Sequence, residues 1–264
     1  MANKNEVVAA KTNAVANVGE FDDFAGQGYG HQAATDYVIP RIAVLGDLSP
    51  QVKENKEEYI SGAKIGDLVD TAMGEILAKR GEAFSFLPVI RVKEVIEWKP
   101  RTQGGGIVNR EVLEDTMENY ANAHGLKQNE KFEYLNSKGN ELIETHQWYG
   151  IILNGDYRWA FLPLKKSNLK VGRKWFTKAT SVKLPSGQQA PLFYKTYQVG
   201  SFLDSGNGNE WYNFKIGDGA LLPEFTEDWK PIFESAKKLL EAVKSGQAKG
   251  DVREDVNSDD GEVM

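Results

Sequence analysis

The sequence predicts a mainly β α+β fold: an OB-like antiparallel barrel or curved sheet with an inserted helical segment and a C-terminal helix. Three observations carry this. Residues 84–98, FSFLPVIRVKEVIEW, alternate over a strand's length, which means one buried and one wet face. Asn154-Gly155 sits between two strand-like runs, a hairpin signal because this pair tolerates positive φ at both positions of a type I′ turn. Residues 226–245 repeat Trp229, Ile232, Phe233, Ala236, Leu239, Leu240 and Val243 at spacings of three and four, the signature of an amphipathic helix.

Residues 1–36 are rich in Ala, Asn and Gly and are expected to form an unfolded arm. The single folded domain is expected over 37–249. It begins at YVIPRIAVL, and GAKIGDLVDTAMGEIL carries glycines at hairpin spacing. In the strand at 84–98, Phe84, Phe86, Ile90, Val92 and Ile96 are expected on one face. Arg91, Lys93 and Glu97 are expected on the other, and Pro88 marks an edge or a bulge near the start. An insertion of helix and loop is expected over about 107–140, where strand formers are few.

The 154–155 hairpin follows, and the Tyr157, Trp159, Phe161 stripe is expected in the core. A helix is expected over 166–179, with Ser167 or Asn168 near its start. Two strands come next, at roughly 191–202 and 209–217. The final helix has Thr226 as its cap, Pro231 in its first turns and Gly246 at its end. Residues 250–264 are expected to be a disordered acidic tail.

With 264 residues and 41% hydrophobic content the chain can bury a sizeable core. There is no cysteine, which excludes disulfides, thiolate nucleophiles and Cys-ligated zinc. The N-terminus lacks the apolar core of a signal peptide, and no run reaches the ~18 apolar residues of a membrane span. A cytoplasmic location is expected, with no membrane partner.

Charge is strongly segregated. From Tyr157 to Phe202 there are nine Lys or Arg, nine aromatics and no Asp or Glu. The tail holds Asp251, Glu254, Asp255, Asp259, Asp260 and Glu262 against one Arg, a net −5. Removing that from the total of −6 leaves −1 for the rest. Distribution, rather than pI, is therefore the useful quantity. On the expected helix, Lys166, Lys170, Arg173, Lys174 and Lys178 fall within an arc of about 140°, at 100° per residue. Leu169, Gly172, Trp175, Phe176 and Ala179 form the apolar underside, so Trp175 is expected in the core. No acid stands at i±4 to neutralise the roof.

Cations along phosphates and flat rings against bases are what single-stranded nucleic acid requires. Arg158, Lys165 and Lys215 extend the cationic set. Trp211, sharing a face with Asn213 and Lys215, and Tyr194, sharing one with Thr196 and Gln198, are the stacking candidates. A register slip of one residue would reverse that choice. A solvated basic face is the plain alternative.

Enzyme signatures are sparse. GxxxxGK[ST], HExxH and GxSxG are absent, and the three histidines, His31, His124 and His146, are scattered. Glu97 and Lys99 make an E-x-K, and Asp67 or Asp70 could add a carboxylate for a metal-dependent nuclease. A non-catalytic protein without metal or cofactor is the expectation. A structural or interaction module docking an acidic partner is the other alternative.

The organisation resembles that of bacteriophage single-stranded DNA-binding proteins. IPRIAVLGDLSPQVKE, GAKIGDLVDT and LPLKKSNLKVGRKW are similar to members of that group, over roughly residues 37–217. The resemblance implies an OB-type core, a basic aromatic groove and an acidic C-terminus that serves autoinhibition or recruitment. Its implied partners are single-stranded DNA and a phage polymerase, primase/helicase or recombinase, acting in replication or recombination. Self-association stays open. In several members the tail ends in an aromatic residue, whereas this chain ends in Val263-Met264.

Overall fold

The computed structural model describes residues 39–206, 208–248 and 250. The expected arm at 1–36 and all six tail carboxylates lie outside these residues. The fold is a mainly β α+β architecture: a curled antiparallel half-barrel, a small sheet, an inserted helix and a C-terminal helix.

The small sheet contains β1 (Ile42–Val44), β2 (Leu68–Asp70) and β3 (Glu75–Ala78), in that order. The β2–β3 hairpin is the one expected from its glycines. Asp70 Oδ1 accepts the backbone N–H groups of Ala72 and Met73 at 3.1 and 3.0 Å, which tightens the turn.

The main sheet is built on β4 (Ala83–Trp98), β8 (Glu141–Ile152), β9 (Arg158–Lys165), β10 (Lys195–Gly206) and β11 (Asn209–Leu221). Its order runs β11–β10–β4–β8, and β9 pairs with β8. The 107–140 insertion holds more strand than expected. It comprises β5 (Ile107–Val112), α1 (Met117–Ala123), β6 (Lys127–Gln128) and β7 (Tyr134–Leu135). Strand β5 pairs with β4, and the β6–β7 hairpin pairs with the start of β8.

The sheet is covered on both faces. One face carries Leu87, Val89, Tyr149, Ile151 and Phe161 under Ile232, Ala236 and Leu239 of α4 (Trp229–Lys244), which follows the short α3 (Leu222–Phe225). The other carries Phe84, Phe86, Trp148, Leu162, Leu164, Tyr197 and Phe214 under Trp175 and Ala179 of α2 (Leu169–Thr180).

Several expectations are corrected. Strand β4 does not keep one apolar face. A register shift between Pro88 and Ile90 moves the alternation by one. Phe84 and Phe86 therefore pack under α2, while Ile90, Val92 and Ile96 pack on the α4 side. The β8–β9 hairpin exists, but its turn is not type I′. Gly155 has φ +78°, whereas Asn154 is not among the positive-φ residues. Asn154 instead uses Oδ1 to accept the Ser85 N–H at 2.9 Å, tying the turn to β4.

The strand expected from 191 starts at Lys195, because Leu192–Tyr194 form a 3-10 turn. Phe193 consequently lies on the α4 side, while Tyr197 and Val199 lie under α2. Helix α4 starts at Trp229 with Asp228, not Thr226, before it. Gly246 closes it as expected, at φ +72°, with its N–H on Val243 O at 3.1 Å. Of the 157–161 stripe, Phe161 is buried and Trp159 packs beside the core, but Tyr157 is exposed.

Candidate nucleic-acid interface

The basic segment forms the outer layer on the face of the sheet that carries Trp148, Leu164 and Tyr197. After β9 the chain makes a 3-10 turn at Lys166–Asn168 and enters α2, so the expected helix starts slightly late. The turn ties itself to the outer strand β11. Ser167 Oγ donates to Asn213 Oδ1 at 2.9 Å, and Asn168 Oδ1 accepts the Phe214 N–H at 3.0 Å. The underside of α2 is held by a tryptophan stack. The rings of Trp175 and Trp148 lie 3.9 Å apart at 12°, both almost fully buried. Gly172 eases the close approach: a Cβ there would stand 3.1 Å from the Leu164 side chain, tighter than an ordinary contact, and 3.4 Å from His146.

The cations of α2 face outward, and the tertiary fold supplies the acids that the local sequence lacks. Lys170 donates to Asp204 at 2.7 Å, Arg173 to Glu144 at 3.3 Å and Lys178 to Asp218 at 2.8 Å. Asp218 also receives Lys195 at 3.2 Å. Lys166 meets Glu141 at 3.3 Å. Lys174 is exposed and makes no ion pair among the described residues. The acid-free segment is therefore not an unneutralised face: its partners come from β8, β10 and β11.

Arg158 sits apart from the roof. It binds the fully buried Asp70 at 3.0 Å and also Glu75, which locks β9 to the small sheet. Removing Arg158 would strand a buried carboxylate; its placement is structural. Lys165 lies at the other end of β9, its Nζ 4.8 Å from the centre of the Trp98 ring.

The stacking candidates are less open than expected. Asn213, expected on a wet face with Trp211, is buried beneath Ser167 and donates to Asp204 at 2.7 Å. Trp211 is half-buried. Its ring lies across Gly206, where a Cβ would stand 3.0 Å away, and its Nε1 is buried without a partner. Tyr194 is half-buried in the 3-10 turn, not on a strand. Its expected neighbour Thr196 is fully buried. Lys215 is exposed.

A charged cluster anchors the middle of α2. Buried His146 places Nε2 2.8 Å from Glu144 Oε1, and Arg173 approaches the other carboxylate oxygen. Arg91 lies 3.5 Å from the centre of the Phe176 ring. The hydrogen bond to His146 holds the Glu144 carboxyl below its ordinary value despite burial. The Lys170 hydrogen bond does the same for Asp204, and those of Lys178 and Lys195 for Asp218.

The pH dependence follows in sign. A depressed carboxyl stabilises the fold fully above its unfolded value, about 4.3 for Glu. That contribution is lost as pH falls through the lower folded value. Near-ultraviolet circular dichroism of the Trp148–Trp175 stack should therefore report α2 loosening below about pH 4. Glu144→Gln should flatten that acid limb. An identical acid limb in the variant would assign the loss elsewhere.

The nuclease alternative finds its residues already engaged. Glu97 accepts from Asn136 and Asn140 at 2.8 and 2.5 Å, Asp67 accepts backbone N–H groups, and Asp70 holds Arg158. Among the described residues, no group of three or more His, Cys, Asp or Glu is placed to hold a metal ion.

Comparison with known proteins supplies a family. The model described as Pam3 phage gp34-like protein matches residues 9–249. The chain belongs to this family. It is thus a phage gp34-like protein, and the match covers nearly the whole chain, leaving out residues 1–8 and the acidic residues 250–264. No curated protein and no solved structure matches it. In this gp34-like protein no helix among the described residues is long and apolar enough to cross a membrane.

Proposed function

We propose that this gp34-like protein binds single-stranded DNA without sequence preference during phage replication or recombination. The observation that carries the reading is the cationic strip on α2. Lys170, Arg173, Lys174 and Lys178 stand exposed along a helix of 12 residues, with Lys166 before it and Lys195 beyond it. A helix of that length spans about 18 Å. The carboxylates that pair with this strip do not disqualify it. The pair exposed on both sides, Lys178–Asp218, is worth only about 0–1 kcal/mol, and the part-buried Glu144 and Asp204 keep His146 and Asn213 as partners when their cations leave. A phosphate chain can take over their cations and release its own counterions.

The acidic tail enters as a second competitor, from the other layer. Gly250, the last described residue, donates its N–H to Tyr149 Oη at 3.1 Å and accepts from Arg110 at 2.7 Å, on the α4 side of the sheet. The 14 residues beyond it reach at most about 50 Å when extended, at ~3.3–3.6 Å each. Autoinhibition and recruitment of a phage polymerase, primase/helicase or recombinase are the roles we assign to it.

Native mass spectrometry with an oligo-dT strand, and with a duplex of equal length, tests the reading. Complexes with the single strand and few with the duplex are expected. Equal capture of both, or of neither, would refute it, and binding to acidic proteins alone would favour an interaction module.

A further inference from the structure

Phe132, which the sequence pattern did not single out, shares a backbone feature with Lys166, the first cation of the strip. Among the described residues, Phe132 and Lys166 are the non-glycine positions with positive φ, at +63° and +47°. Left-handed backbone is costly for side chains of this kind and persists where the surroundings enforce it. Phe132 is also 80% exposed, so burial of its ring does not repay that cost.

The surroundings enforce it at Phe132 through the tip of the β6–β7 hairpin. The Phe132 N–H donates to Asn129 O at 3.0 Å, and its carbonyl accepts from Gln128 Nε2 at 3.0 Å. Asn129 Oδ1 accepts the N–H groups of Lys131 and Glu133, both at 2.9 Å. The tip is a built turn that holds an aromatic ring in water.

The sheet register brings that tip to Lys166. Strand β4 occupies one edge of β8 along its length, so β7 and β9 share the other edge. Tyr134 lies opposite Leu142, and Leu135 opposite Glu141. Going from Leu135 back to Phe132 therefore runs toward Ile143 and Glu144. Strand β9 ends on that same edge, with Lys165 opposite Thr145. Tyr134 and Lys165 are thus three residues of β8 apart along this edge, about 10 Å, and the chain from Tyr134 back to Phe132 heads into the interval that Lys166 enters from the other side. Glu141 joins the two parts, as the backbone partner of Leu135 and the ion-pair partner of Lys166.

We propose that Phe132 and Lys166 form one subsite for a nucleotide of single-stranded DNA. Phe132 stacks the base, and Lys166, with Lys165 and Lys131 nearby in the chain, takes the adjacent phosphate. This rests on the single-stranded DNA reading and adds the base-stacking element that half-buried Trp211 and Tyr194 supply poorly. The hydrogen-bonded turn leaves little backbone ordering to lose on binding, and stacking suits every base.

The test is anisotropy of a labelled dT oligomer over a salt series with the full chain. Phe132→Ala should weaken binding about 5- to 150-fold, with an unchanged salt slope because the ring neutralises no phosphate. Phe132→Trp should restore affinity, and its added fluorescence should be quenched by dT. Lys166→Gly, which accepts the positive φ, should flatten the salt slope by about 0.7.

A second readout needs no DNA. Asn tolerates the left-handed region, so Phe132→Asn should raise the Tm by about 2–4 °C while weakening dT binding. Wild-type binding with Phe132→Ala equally tight would overturn the subsite and leave the DNA reading standing. Failure of the wild type to bind dT would overturn both. Loss of affinity accompanied by a fall in Tm would also count against the proposal, since the ring would then serve the fold.

Discussion

Trp175→Ala is expected to destabilise the protein by about 3–5 kcal/mol, the range for removing a large buried aromatic. The ring is 2% exposed and stacks face to face on Trp148. It also packs against Phe86 and Tyr197, at centroid distances of 6.3 and 5.5 Å. The other α2 side chains cannot replace it: Gly172 has none, Ala179 is small, and Phe176 is only half-buried and meets Trp148 edge-on at 6.3 Å. A loss of this size is a large part of the ~5–15 kcal/mol that a domain holds in total. Urea unfolding followed by fluorescence gives the midpoint. Trp175→Phe should recover much of the loss. A change under about 1 kcal/mol would mean that α2 is not docked through this stack. The same substitution should abolish DNA binding indirectly, because it removes the platform on which the cations stand.

The second large effect concerns the strip itself. Replacing Lys170, Arg173 and Lys174 together by Ala should flatten the salt slope by about two units, at ~0.7 per phosphate contact. If the salt-independent part of binding is unchanged, that slope extrapolates to roughly 400-fold weaker binding at 50 mM salt. The loss should be similar for every base composition. Stability should fall little, since these side chains are exposed and their ion pairs are weak. Glu144 keeps His146 and Asp204 keeps Asn213 as partners, so neither carboxylate is stranded. Normal binding by the triple variant would reduce the strip to a solvated face. Unfolding would show that the cations support the core.

What was legible in the sequence was local and periodic. The α4 helix, the underside of α2 and the β2–β3 and β8–β9 hairpins followed from spacing and turn chemistry. The core role of Trp175 followed from its place on the apolar arc. What was not legible depends on distant contacts. The face change along β4 needs the 88–90 register shift, which Pro88 signals without giving its direction. Asn154 takes a tertiary hydrogen bond to Ser85 rather than the turn geometry its dipeptide favours.

The charge pattern misled for the same reason. Residues 157–202 contain no acid, but Glu144, Asp204 and Asp218 arrive from neighbouring strands. Phe132 left only a faint sign, an aromatic within the polar stretch QNEKFEYLN. Its exposure and its left-handed backbone belong to the folded hairpin, and no periodicity encodes them.

The measurement that bears most directly on the central claim is the salt dependence of wild-type binding to oligo-dT, alongside a duplex of the same length. The account predicts tighter binding to the single strand and a linear fall of log affinity with log salt. The slope should be about −0.7 for each phosphate neutralised, near −3 for four cations of the strip. A flat slope, or equal affinity for the two forms, would contradict it.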